Sequence, residues 1–246
     1  MNRVLTLQQA ARHIHIPERE LFHLAQRGDV PVRKRGDEFF FEHGRIDEWA
    51  QRNILQLSDR ELARRHGEAV GERIRASRDT ALIPLLFAPD RISVSLSSRT
   101  RHGAIRDLVA LAFDTGFLYD DAEFLQEVSD REDEAPTAMP GGVAFLHAHR
   151  HDPYRASESF CLLGRAEHPV YFGASDGEPT DLFFLLCCID DGLHLHTLAR
   201  LSLLSRDEDL LGALREAADA AEMYDLLVSA EQRILGQLKK TGTRDA

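Results

Sequence analysis

Residues 182–189 read LFFLLCCI, eight uncharged apolar positions in a row between Asp181 and Asp190. The run is far too short to cross a bilayer, which takes about 20 residues as a helix. It shows no alternation of apolar and polar residues, so it does not describe a strand with one face in water. A strand covered on both faces does satisfy it. A chain with such a strand must supply layers that bury a sheet from both sides.

The flanking text supplies them. RISVSL, residues 91–96, alternates like a strand. RHGAIRDLVALAFDTG, residues 101–116, is an amphipathic helix closed by Gly116, and DDAEFLQEVSDRE, residues 120–132, is a second helix. GGVAFLH (141–147) and PVYFG (169–173) read as further strands. HLHTLARLSLLS places Leu195, Leu198, Leu201 and Leu204 at helical spacing, and two more helical stretches follow within residues 207–238. The expectation is an α/β domain over residues 80–236, with a mixed sheet flanked by helices, and a flexible tail at 237–246.

The composition, 43% hydrophobic and 29% charged, is that of an ordinary globular protein. The start, MNRVLTLQQAARHI, has no apolar signal core. Cys161, Cys187 and Cys188 are too few for a disulfide framework, and the adjacent pair sits inside the apolar run as small core residues. A cytoplasmic protein without membrane contact is expected.

The front of the chain is punctuated differently. Thr6 and Gln9 form a capping-box start, and Leu7, Ala11 and Ile14 share a helix face. Pro17 suits the first position of a second helix, with Glu18 and Glu20 in its positive first turn, a Leu21, Leu24 and Ala25 stripe, and Gly28 to end it. VPVRKRGDEFFF, residues 30–41, reads as a hairpin turning at Gly36-Asp37. A last helix turns Ile46, Trp49 and Ala50 inward. Residues 1–52 therefore resemble the small winged helix-turn-helix domain of the excisionase and MerR-type family. The resemblance implies that the second helix offers Arg19, His23, Gln26 and Arg27 to duplex DNA, with Arg33, Lys34 and Arg35 on the hairpin contacting the backbone or minor groove. One such domain covers a short site, so a DNA-binding form is expected to act as a homodimer. The competing reading is a protein-docking or dimerising domain, because Glu18, Glu20, Asp37 and Glu38 lie beside the proposed contacts.

Residues 53–79 read as a charged amphipathic connector helix, with a capping box at Ser58 and Glu61. Charge divides near the same point. Residues 1–78 hold 15 Lys/Arg against 12 Asp/Glu, whereas residues 79–246 hold 15 against 29. A mildly basic front and an acidic rear fit two modules with different partners.

The segment REDEAPTAMPGGVAFLH, residues 131–147, followed by HLHTLARL from residue 194, resembles the phosphotransferase-system enzyme IIA domains of the fructose, mannitol and nitrogen-regulatory class. Arg131, Glu132, Thr137, Gly142, Val143, Ala144 and His147 fall in register with that family's segment. Leu146 stands where the family usually carries proline. The resemblance implies that His147 takes a phosphoryl group from a histidine-containing phosphocarrier protein. His194 is then the family's second histidine, Arg131 a forked cation for the phosphate, and Thr137 a residue that fixes the segment or bonds a phosphate oxygen. Imidazole suits the task because it titrates near pH ~6.5 and both accepts and releases the group. Phosphoryl transfer is otherwise mostly positioning and charge stabilisation. No cofactor is implied beyond the transient phosphoryl group. With no permease segment in the chain, signalling is the expected use.

His147, His149 and His151 alternate, and three imidazoles on one strand face suggest zinc. Arg150 and Pro153 argue for a loop there, so no metal site is expected. His13, His15, His23, His43 and His168 carry no separate signal. Two functions stand: a transcription regulator that senses phosphotransferase flux through His147, and an unphosphorylated docking protein built on the same scaffold.

Overall fold

The computed structural model describes residues 4–14, 16–36, 38–56, 80–149, 152 and 154–242. Residues 53–56 of the expected connector belong to the helix that ends at Gln56, and the rest, with the Ser58 and Glu61 cap, lies outside the described residues, as do His15, Asp37, Arg150, His151 and Pro153. The chain divides into two compact units, residues 1–80 with 191–202, and residues 81–190 with 203–246. The break near residue 80 coincides with the change in charge, but residues 191–202, expected in the rear domain, group with the front unit.

In the front unit, β1 (Val4–Thr6) leads into helix α1 (Leu7–His13), and α2 (Glu18–Arg27) follows after a short turn. The capping box forms: the Gln9 N–H donates to the Thr6 hydroxyl oxygen, and the Thr6 N–H donates to the Gln9 side-chain oxygen. Pro17 is the N-cap of α2, one residue before its expected place, and Gly28 ends the helix with φ of 77°. Strands β2 (Arg33–Arg35) and β3 (Glu38–Glu42) form the hairpin, and β3 pairs on its other side with β1. β3 runs without a break into α3 (His43–Gln56). Leu5, Ala10, Ile14, Leu21, Phe41 and Ile46 bury the apolar faces of these elements.

The second unit is built on a five-stranded mixed sheet in the order β4-β7-β8-β6-β5. After a one-turn helix α4 (Ile83–Leu86) come β4 (Ile92–Leu96), α5 (Arg101–Asp114), α6 (Asp121–Glu134), β5 (Ala138–Met139), β6 (Val143–His147), β7 (Phe160–Val170) and β8 (Thr180–Cys187). The apolar run is most of β8, between β6 on one side and β7 on the other. All five residues of β6 are buried, as are seven of the eight of β8, which is why neither alternates in sequence. The expected strand at PVYFG is placed too late. β7 begins at Phe160 and ends at Val170, with a register shift between Arg165 and Val170 that hides its continuity in the text.

Helices α7 (Asp191–Leu204), α8 (Glu208–Glu216) and α9 (Ala220–Gly242) close the chain. The four leucines at helical spacing on α7 are all buried. α9 stays helical to Gly242, so residues 237–242 of the expected tail are helix. Glu231 on α9 is buried and accepts the Leu82 and Ile83 N–H groups at 2.8 and 2.9 Å, which anchors the start of α4.

Candidate functional site

A buried carboxylate anchors the segment that leads from Arg131 toward His147. Glu132, in the last turn of α6, accepts the Thr137 N–H at 2.9 Å and the Thr137 hydroxyl at 2.7 Å. Arg101 supplies the cation: its guanidinium lies 3.7 Å from the Glu132 carboxylate, donates to the Glu132 carbonyl and sits over the Phe172 ring. Burial raises the Glu132 carboxyl from its ordinary 4.5 to about 6, against the opposing pull of the Thr137 hydrogen bonds and the two arginines. Thr137 is buried, and its hydroxyl is engaged with Glu132. Arg131 donates from Nη1 to the Ala135 carbonyl at 2.8 Å, capping the C-terminus of α6.

Thr137 is in turn tied to the strand that carries the histidine. The Phe145 N–H donates to the Thr137 carbonyl at 3.4 Å, and Ala138 and Met139 of β5 pair with Ala144 and Val143 of β6. The two glycines before β6 have positive φ, 91° at Gly141 and 77° at Gly142. A Cβ on Gly142 would lie 2.8 Å from Arg215 Nη2 and 2.9 Å from Asp181 Oδ1. That ion pair, 2.7 Å at its shortest, joins α8 to the start of β8, and Arg215 also donates to the Gly141 carbonyl. The glycines let the chain pass close beside this clamp before entering β6.

His147 ends β6, opposite Leu186, and is 1% exposed. Its Nδ1 lies 2.8 Å from the Phe145 carbonyl oxygen. A carbonyl oxygen only accepts, so Nδ1 carries the proton. In the neutral ring the lone pair then belongs to Nε2. Leu146 pairs with Leu185 within the ladder, at a position where proline would remove a backbone donor. Because β6 ends at His147, His149 lies outside the strand; its Nε2 is 3.0 Å from Glu134. His147 and His149 therefore do not share one strand face, and His151 lies outside the described residues.

The structure brings Arg131, Glu132, Thr137 and His147 into one connected segment of the second unit. His194 occupies the first turn of α7, in the stretch that groups with the front unit, and is fully buried. Glu132 falls in register with the family segment in sequence, but its role there, holding Thr137, is visible only in the fold. Arg101 had no local signal at all. In the front unit, Arg19, His23, Gln26, Arg27, Arg33, Lys34 and Arg35 are all exposed. Two of these have acidic neighbours: Arg27 pairs with Asp29 at 2.8 Å, and Arg33 pairs with Glu42.

Residues 85–230 match the family model described as phosphoenolpyruvate-dependent sugar phosphotransferase system, EIIA 2. The chain belongs to this family. Its IIA domain is 33% identical over 144 residues to a nitrogen regulatory protein of Bradyrhizobium diazoefficiens, covering 58% of this chain and 92% of that protein. It is 30% identical over 151 residues to the fructose-specific EIIA component of the phosphotransferase system of Haloferax volcanii, covering 61% and 96%. Among solved structures, nitrogen regulatory protein IIA-Ntr from Neisseria meningitidis shares the fold, with a TM-score of 0.54 at 21% identity over 60% of this chain and 99% of that one. The IIA domain thus has the mixed α/β architecture of its family. No helix among the described residues is long and apolar enough to cross a membrane.

Proposed function

We propose that this protein is a cytoplasmic regulator in which a IIA domain, phosphorylated on His147 by a histidine-containing phosphocarrier protein, is joined to a DNA-binding front module. The observation that carries the first half is the Nδ1–H bond from His147 to the Phe145 carbonyl in a chain of this family. With the proton on Nδ1, Nε2 carries the lone pair and is the proposed nucleophile. In the transfer, the Nε2 lone pair forms the new N–P bond as the donor's N–P bond breaks and its electron pair returns to the donor ring. The proton stays on Nδ1 and is donated to the Phe145 carbonyl oxygen, which stabilises the positive charge that the ring acquires. Arg131 and His194 are proposed to stabilise the transferring group, and Thr137 to hold the segment through Glu132. The modified ring carries about −1.5 to −2 extra charge, a signal large enough to alter contacts with a partner.

The second half rests on the helix–turn–helix–hairpin order of the front unit and on the exposure of Arg19, His23, Gln26, Arg27, Arg33, Lys34 and Arg35. Duplex DNA bound by a homodimer is the proposed partner. About six phosphate contacts would make affinity fall roughly 10³-fold between 50 and 200 mM salt.

A second reading has its own observation. His147 is 1% exposed, and Leu146 keeps β6 in its ladder up to that residue. A ring sealed in this way suits an unphosphorylated docking domain. Incubation with enzyme I, phosphocarrier protein and labelled phosphoenolpyruvate separates the two. Label that is lost in His147→Ala supports the relay, and an unlabelled wild type supports the docking module. Fluorescence anisotropy with duplex DNA tests the front module, and the absence of any salt-dependent binding removes it.

A further inference from the structure

The two histidines in the front unit that carried no signal in sequence meet in the fold. His13 is the last residue of α1, and His43 and Asp47 lie one helical turn apart at the start of α3. The Asp47 carboxylate reaches both rings: one oxygen contacts His13 Nε2, and the other lies 2.9 Å from His43 Nδ1. The rings are 4.2 Å apart between centroids. One donor atom from each of the three residues falls within 4.8 Å of the others. On the far side of His13, Nδ1 faces the Asp191 carboxylate at 3.7 Å.

We propose that His13, His43 and Asp47 form a binding site for a divalent first-row transition ion of the zinc class. Three features support it. Two imidazoles and one carboxylate are a donor set suited to zinc and poorly suited to magnesium or calcium, which prefer all-oxygen cages. His43 and Asp47, four residues apart, share one face of α3, so one helix presents two ligands without rearrangement. Asp191 stands where a metal-bound histidine gains from a second carboxylate: with Nε2 on the metal, the protonated Nδ1 of His13 lies 3.7 Å from Asp191, within ion-pair reach. The side chains of His13, His43 and Asp47 are 16%, 32% and 12% exposed, so water reaches the site and can complete the coordination. Metal binding replaces the protons between the rings and Asp47, and those protons leave to solvent. The bound ion ties the end of α1 to the start of α3.

The test is a zinc titration of the chelator-stripped full-length protein against a chromophoric competitor. Wild type is expected to bind a zinc ion that Asp47→Asn and His43→Gln fail to hold, with far-UV circular dichroism confirming that both are folded. Asp191→Asn should weaken binding about 10-fold or more, and His149→Gln should leave it unchanged. On the wild type alone, zinc should protect His13 and His43 from diethylpyrocarbonate in peptide mapping. X-ray absorption should show two imidazoles with nitrogen or oxygen at about 2.0–2.1 Å and no sulfur. Equal zinc binding by wild type and Asp47→Asn, protection confined to other histidines, or no binding by the wild type overturns the proposal. The last result would leave the cluster as a hydrogen-bonded His–Asp–His contact only.

Discussion

The two units place their candidate functional groups in opposite settings. In the front unit the seven proposed DNA contacts are exposed side chains on α2 and the hairpin, each working largely alone. In the second unit Arg131, Glu132, Thr137 and His147 are buried, Glu132 bonds Thr137, and the Thr137 carbonyl bonds the strand that carries His147. Exposed charges are weakly coupled and individually replaceable, because water screens them. A buried network is coupled, so removing one member leaves others unsatisfied. One unit should lose function in small steps, and the other in large ones.

The largest effect should come from His147. His147→Ala should remove all label from the phosphotransfer assay, whereas Leu146→Pro should raise the labelling rate by freeing the end of β6. A proline variant that labels no faster would show that the ladder at Leu146 does not restrain the ring. Next, Arg33→Ala, Lys34→Ala and Arg35→Ala together should flatten the plot of log affinity against log salt by about 3, roughly one unit per lost phosphate contact. An unchanged slope would take DNA away from the hairpin.

Glu132→Ala comes third. It strands the buried Thr137 donors and the charge of Arg101, and should cost about 3 kcal/mol in chemical denaturation. A loss under about 1 kcal/mol would place the segment's stability elsewhere. Glu132 also predicts a pH dependence. Its carboxyl titrates near 6 when folded and near 4.5 otherwise, so between these values the native state holds a proton that the unfolded chain has released. The contribution is full below about pH 4.5 and is lost as pH rises through 6, amounting to about 2 kcal/mol. Stability curves of wild type and Glu132→Gln should diverge across that window, and parallel curves would sink the assignment. The smallest effect belongs to the front unit: Asp29→Asn, which releases Arg27, should tighten DNA binding only severalfold, since an exposed pair is worth about 0–1 kcal/mol. A change as large as that of a buried group would erase the contrast between the units.

By itself, the sequence determined what depends on neighbours along the chain. The apolar run at 182–189 required a strand covered on both faces, and the Thr6–Gln9 cap and Gly28 marked helix ends because those bonds close within one turn. The in-register text from Arg131 to His147 pointed to the family for the same reason. Only the tertiary structure decided the pairings across long separations. Leu146 reads as a single replacement, but the β6–β8 ladder pairs it with Leu185, next to the buried His147. Arg101 reaches Glu132 from 31 positions away, and His13 reaches Asp47 from 34. No local propensity encodes such contacts. They arise when strands and helices pack, and packing is set by burial summed over the whole unit rather than by any one stretch of it.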